Sequence, residues 1–137
     1  MNDRLARRIE RHEGRRNKAY KDSKGILTAG IGRNLEAVSF TDQEVDLMFK
    51  NDLARAKQAA ETFYVYEFLN ETRREVLIEM IFQMGLKGVG RFKKFFRAAL
   101  AKDWEGARNE MLDSKWHRED SPARALELAN LFCRGHQ

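Results

Sequence analysis

Three side chains near the N-terminus have the types and spacing for acid–base chemistry: Glu13, Asp22 and Thr28. Glu13 closes the i, i+4 series Leu5, Ile9, Glu13, so a carboxyl takes the last place on an otherwise apolar helix face. The helix end expected at Gly14 adds free carbonyls, which disfavour negative charge. An apolar surrounding disfavours ionisation as well. Both effects favour the protonated form that a proton donor near neutrality needs, and Arg11, Arg15 and Arg16 oppose them if they lie close. Asp22 falls on the first position of an expected hairpin turn, where a carboxylate stays hydrated and ionised. One carboxyl in an apolar setting and one in a wet setting is the division that cleavage of a glycosidic bond assigns to acid and base. Thr28, on the returning strand, carries a hydroxyl that can hold a water molecule. Each residue also has a plainer reading. Glu13 is then a solvated helix-end carboxylate, Asp22 bonds its own turn, and Thr28 fills a strand position as a β-branched residue.

The elements that must position these residues follow from periodicity and caps. Asn2 or Asp3 caps a helix over 3–13. Ala19-Tyr20, Asp22-Ser23-Lys24-Gly25 and Ile26-Leu27-Thr28 read as strand, turn and strand, with a bend or bulge at Gly30-Ile31-Gly32. Thr41-Asp42-Gln43-Glu44 is a capping box opening a helix from 42 to about 61, with Val45, Met48, Phe49, Leu53, Ala56 and Ala60 on one face. Asn70 caps the next helix, whose stripe Val76, Leu77, Met80, Ile81 and Met84 is the most apolar in the chain, and Gly85 is its expected end. Gly88 and Gly90 are expected in a loop, Phe92, Phe95, Phe96 and Leu100 in a helix, and Asp103 as the cap of a helix bearing Trp104, Ala107, Met111 and Leu112. Ser121-Pro122 reads as hydroxyl cap and N1 proline of a last helix ending at Gly135.

Composition agrees with a mostly helical globular domain. The chain has 137 residues, 42% of them apolar and 34% charged, but only 9 Gly and 1 Pro. Cys133 is the single cysteine, which excludes an internal disulfide framework and any multi-cysteine zinc site. No stretch approaches the roughly 20 apolar residues of a membrane span, and no apolar run follows the basic start as in a secretory signal. The formal charge of +5 favours polyanionic partners: nucleic acid, anionic lipid or acidic wall polymer.

The strip Glu13-Gly14, Tyr20-x-Asp22, Gly25, Thr28-x-Gly30-x-Gly32 resembles the catalytic strip of the phage-type lysozymes, glycoside hydrolase family 24. Further matches run through Arg73-Arg74, Phe82-Gln83-Met84-Gly85, Gly88-Val89, Phe92, Trp104, Trp116, Ser121-Pro122-x-Arg124 and Phe132. The resemblance implies an α+β, predominantly helical fold of two lobes: a small N-terminal β-hairpin or sheet and a helical C-terminal lobe, joined by a long helix. Residues 1–137 would then form one lysozyme-like domain, its N-lobe at about 14–60 and its C-lobe at about 61–137 together with helix 3–13. It implies a muramidase that hydrolyses the β-1,4 bond between N-acetylmuramic acid and N-acetylglucosamine in peptidoglycan. Glu13 would be the general acid, Asp22 would assist attack from the opposite face, Thr28 would position the water, and the outcome would be inversion. Phe82 and Gln83 match substrate-binding positions on the cleft floor, and Arg124 matches an arginine able to pair with Glu13. The implied partner is the glycan strand of peptidoglycan, acted on by a monomer with no cofactor, no metal, no nucleic acid and no stable membrane insertion. The implied location is the host cytoplasm until a holin-type partner permits release. Three features depart from the family: Arg33 stands where many relatives have His, the stretch from Leu35 to Thr41 is short, and Phe95 and Glu110 stand at two polar cleft positions.

Other features have plain readings. His12, His117 and His136 lack metal-ligand spacing, and Gly30-x-Gly32 lacks the rest of a dinucleotide fingerprint. Met48, Met80, Met84 and Met111 are expected in the core, as are Trp104 and Trp116, the latter with lining of the cleft as its alternative, and Cys133 is expected as a buried thiol. Lys93, Lys94 and Arg97 alternate with Phe92, Phe95 and Phe96, as on a helix with rings inward and cations in water. The competing functions are a cationic wall-binding or nucleic-acid-binding helical protein without catalysis, and a lytic transglycosylase that uses the acid but no water.

Overall fold

The computed structural model describes residues 3–137, so the alternative cap Asn2 lies outside the described residues. In chain order the elements are α1 (Asp3–Glu13), β1 (Arg16–Lys21), β2 (Leu27–Gly30), β3 (Arg33–Asn34) and α2 (Asp42–Glu61). A 3-10 segment (Tyr64–Phe68), α3 (Glu71–Gly90), α4 (Lys93–Leu100), α5 (Trp104–Leu112), a π-helical turn (Trp116–Asp120) and α6 (Pro122–Arg134) follow. This is an α+β protein dominated by helix, and its chain groups into two compact units, Met1–Asp46 and Leu47–Gln137.

In the first unit, α1 covers the expected residues and closes with the Gly14 amide on the Glu10 carbonyl at 2.8 Å. β1 and β2 are antiparallel, with Tyr20 opposite Thr28 and Lys21 opposite Leu27. A third strand, which sequence patterning did not foretell, pairs with β2 and sets Thr28 opposite Asn34. Gly30-Ile31-Gly32 is therefore largely the turn from β2 into β3 and not a bulge. Two residues make too short a periodic run to read, and Asn34 ends the strand when its Oδ1 accepts the amides of Glu36 and Ala37. The capping box forms as expected: Glu44 N–H donates to Thr41 Oγ1 and Thr41 N–H to Glu44 Oε1. Among the described residues of this unit only Thr28 is buried, at 5% exposure. Leu5 and Ile9 are 42% and 46% exposed, so the apolar stripe leading to Glu13 does not bury it.

The second unit carries the hydrophobic core. α2 is about 30 Å long at 1.5 Å per residue, but only Ala56 and Ala60 of its stripe are buried; Val45, Met48, Phe49 and Leu53 are exposed. The core is built from Val76, Leu77, Met80 and Ile81 of α3, Phe95 of α4, Met111 of α5, Trp116, and Leu128 and Phe132 of α6. Each such large apolar side chain contributes about 1.5–3 kcal/mol on burial. Phe95 packs against Phe132 with ring centroids 5.0 Å apart, while Lys93, Lys94 and Arg97 on the same helix are exposed. Asn70 and Asp103 cap α3 and α5 through the amides of Arg73 and Gly106.

Four expectations are corrected. α3 does not stop at Gly85: the glycine breaks helical geometry, with φ 80° and ψ 165°, yet the helix resumes and runs to Gly90, so Gly88 and Gly90 are helical and not a loop. Only Gly tolerates that φ cheaply, and a helical pattern interrupted by one residue reads in sequence as an end. Ser121 precedes α6, with Pro122 at its start, but its hydroxyl makes no side-chain cap and instead accepts from the Gln83 amide. Met84 is only half-buried and Met48 is exposed, unlike Met80 and Met111. Cys133 is half-buried, since Phe132 takes the inward position beside it.

Candidate active site

The β1–β2 turn fixes Asp22. One carboxylate oxygen, Oδ1, accepts the amides of Lys24 at 2.8 Å and Ile26 at 2.9 Å, while the Asp22 amide donates to the Ile26 carbonyl at 2.9 Å. This is the local turn bonding that short acidic side chains favour, so the plain reading of Asp22 is correct as far as it goes. It leaves Oδ2 without a hydrogen-bond partner among the described residues. Thr28 then donates its hydroxyl to the same Ile26 carbonyl at 2.9 Å. Its proton is spent on the backbone, so its oxygen is left to act as an acceptor.

Glu13 ends α1, is exposed, and meets the β2–β3 turn. A Cβ built on Gly32 would lie 2.7 Å from Glu13 Cδ and nearer still to Oε2, so the carboxyl rests directly over a bare α-carbon. The sheet thus gathers the three residues around one strand: Asp22 before β2, Thr28 within it, and Glu13 on the turn that follows it. Arg33, next to Gly32, pairs with Glu44 at 2.5 Å and lies 5.7 Å from the Phe40 ring centroid. Glu44 is held below the usual carboxylate range, first by the Thr41 amide and then by Arg33.

In the second unit, the consecutive residues Phe82 and Gln83 meet different surroundings. Phe82 is 41% exposed, stands edge-on to Phe49 at 5.8 Å, and lines an open groove of about 420 Å³ with Arg55, Ile81 and Leu86. Gln83 is half-buried and engaged at both ends of its amide: Oε1 accepts the Trp116 indole N–H at 3.0 Å, and Nε2 donates to Ser121 Oγ at 2.8 Å. Phe82 offers a ring face; Gln83 ties α3 to the π-helical turn and the start of α6. Arg124, expected as a possible partner of Glu13, donates from Nε to Glu79 Oε2 at 2.8 Å. Phe95 is buried and Glu110 lines a second groove, of about 310 Å³, beside Lys93 and Lys94.

The family model described as phage lysozyme matches residues 10–134, which takes in the whole sheet and nearly all of the second unit. The chain belongs to the phage lysozyme family. Over 96% of its length it is 29% identical to the pre-baseplate central spike protein Gp5 of Enterobacteria phage T4, of which it spans 28%. It is also 28% identical, over 90% of its length, to probable T4-type lysozyme 1 of Dictyostelium discoideum, spanning 89% of that protein. The endolysin of Salmonella phage P22 is 31% identical over 57% of the chain, which spans 58% of that relative.

Within this phage lysozyme chain, sequence reading missed two contacts that shape the site. The capping box engages only one Glu44 oxygen, and the second takes Arg33, a contact that no local motif signals. The close approach of Gly32 to Glu13 was hidden because Gly-x-Gly reads only as a bend. The available signal was the glycine itself, since a residue without Cβ marks places where another group comes close.

Proposed function

We propose that this chain cuts the β-1,4 bond between N-acetylmuramic acid and N-acetylglucosamine in bacterial peptidoglycan, with inversion at the anomeric carbon. The observation that carries this reading is the Asp22–Ile26–Thr28 knot, which leaves two acceptors, Asp22 Oδ2 and Thr28 Oγ1, free of other donors among the described residues. A water molecule that gives one hydrogen to each acceptor turns a lone pair outward. Its oxygen bonds the anomeric carbon on the face opposite the leaving group, and Asp22 takes up the water proton. Glu13 gives its proton to the bridging oxygen as the glycosidic bond breaks, so the leaving sugar departs as a neutral alcohol. The exposed Phe82 ring supplies an apolar face for a pyranose ring, and Gln83 holds the neighbouring backbone through Trp116 and Ser121. The charge of +5 draws the protein to anionic wall polymers. The enzyme acts as a monomer on wall reached after release from the host cytoplasm.

Turbidity loss of purified peptidoglycan with wild type, Glu13→Gln and Asp22→Asn side by side tests the reading. Glu13→Gln should lose about 10²–10⁴-fold in turnover while still sedimenting with the wall, because only proton donation is removed. Clearing by Glu13→Gln at the wild-type rate would overturn hydrolysis in favour of cationic wall disruption. Anhydromuramic ends in the mass spectrum of the fragments would replace hydrolysis by transglycosylation.

A further inference from the structure

Among the described residues of its own unit the Glu13 carboxyl has no hydrogen-bond donor to hold it, and it sits on the last residue of an exposed helix. A proton donor must nonetheless be held within hydrogen-bond reach of the oxygen it protonates. What confines the group in the first unit is a surface. Gly32 brings a bare α-carbon against it, leaving no room for a side chain: a Cβ there would stand 2.7 Å from Glu13 Cδ and 3.0 Å from Cγ. We propose that Gly32 is a positioning residue for the Glu13 carboxyl, its missing side chain forming the seat in which that carboxyl rests. This deepens the functional reading above and rests on Glu13 being the proton donor.

Gly30 provides the internal comparison. Both glycines have φ of +66°, so an alanine at either position meets the same left-handed backbone penalty. They differ in what the new methyl group would touch. At Gly30 nothing lies within 4 Å; at Gly32 the methyl group overlaps the end of the Glu13 side chain. That end is flexible, so it is the carboxyl that moves, not the turn. Gly32→Ala therefore acts on the acid's position and Gly30→Ala on backbone strain alone.

The test measures kcat and KM on soluble peptidoglycan fragments across pH, with thermal melts, for wild type, Gly30→Ala, Gly32→Ala and Glu13→Gln. The two alanine variants should melt within a few degrees of each other. Gly32→Ala should lose on the order of 100-fold in kcat, the scale of a 1 Å misplacement, at nearly unchanged KM, with the basic limb of its pH profile displaced. Gly30→Ala should keep the wild-type profile. Equal kcat and equal pH profiles in the two alanine variants would overturn the proposal. So would Gly32→Ala melting far below Gly30→Ala, since the methyl group would then be resisted by something other than a mobile carboxyl. If the alanine pair is too unstable, Gly30→Asn and Gly32→Asn repeat the comparison with a residue that tolerates the left-handed region. Wild-type activity in Glu13→Gln would instead sink the functional reading, whereas an inactive Glu13→Gln beside matching glycine variants would sink the positioning claim alone.

Discussion

Asp22 and Thr28 are joined through one peptide oxygen: the Ile26 carbonyl accepts the amide of the first and the hydroxyl of the second, both at 2.9 Å. The joint orients both side chains from the backbone outward, so neither depends on a long flexible arm for its place. It also ties the turn to the strand, because the Ile26 amide donates back to Asp22 Oδ1.

Thr28→Val keeps the branched shape in a buried position and removes the hydroxyl. Losing one hydrogen bond should cost about 1 kcal/mol of stability, while turnover on peptidoglycan should fall at least about tenfold. Thr28→Ser should regain most of the turnover. A valine variant with wild-type turnover would remove Thr28 from the water site.

Glu44 gives the fold an acid-sensitive joint. Its carboxylate is held below the usual value of 4.5, so its stabilising effect is full above that value and is lost as pH falls through the lower folded-state value. Melting curves of wild type and Glu44→Gln should differ at neutral pH and converge as the pH drops below about 4. A gap that stays constant with pH would show that Glu44 acts without its charge.

Gln83→Leu strands the indole N–H of Trp116, which is 3% exposed, and should destabilise the second unit by about 1–3 kcal/mol. Gln83→Glu can still accept from Trp116 and from the Ser121 hydroxyl, so its urea midpoint should lie nearer wild type. Equal midpoints for the two variants would mean the amide bridge contributes nothing.

Arg73 closes α6 onto α3. Its Nε and Nη2 donate to the carbonyls of Phe132 and Cys133 at 2.7 and 3.0 Å, and its guanidinium lies 3.8 Å from the Trp104 ring centroid. Burial pulls its pKa down from the ordinary arginine value, although a guanidinium stays protonated in proteins. Arg73→Lys cannot make both bonds and stack at once; a loss of about 1–2 kcal/mol in urea unfolding is expected. An unchanged midpoint would contradict the capping role.

By itself the sequence determined what neighbours within a turn decide. The capping box at Thr41 and Glu44, the caps at Asn70 and Asp103, the span of α1 and the hairpin turn at Asp22 all depend on atoms a few residues apart. The Glu, Asp, Thr spacing was legible for the same reason, as was the family it resembles. Tertiary structure alone decided which distant groups meet. The Ser121 hydroxyl accepts from Gln83, 38 residues away, and does not make the cap that the local motif promised. Gly85 bends α3 without ending it, because Val89, beyond the break, still packs into the core. Glu13 finds Gly32 only once β2 and β3 have paired, and no periodicity along the chain encodes that meeting. Local hydrogen bonds are written in residue order, whereas close approach between elements depends on how their faces pack.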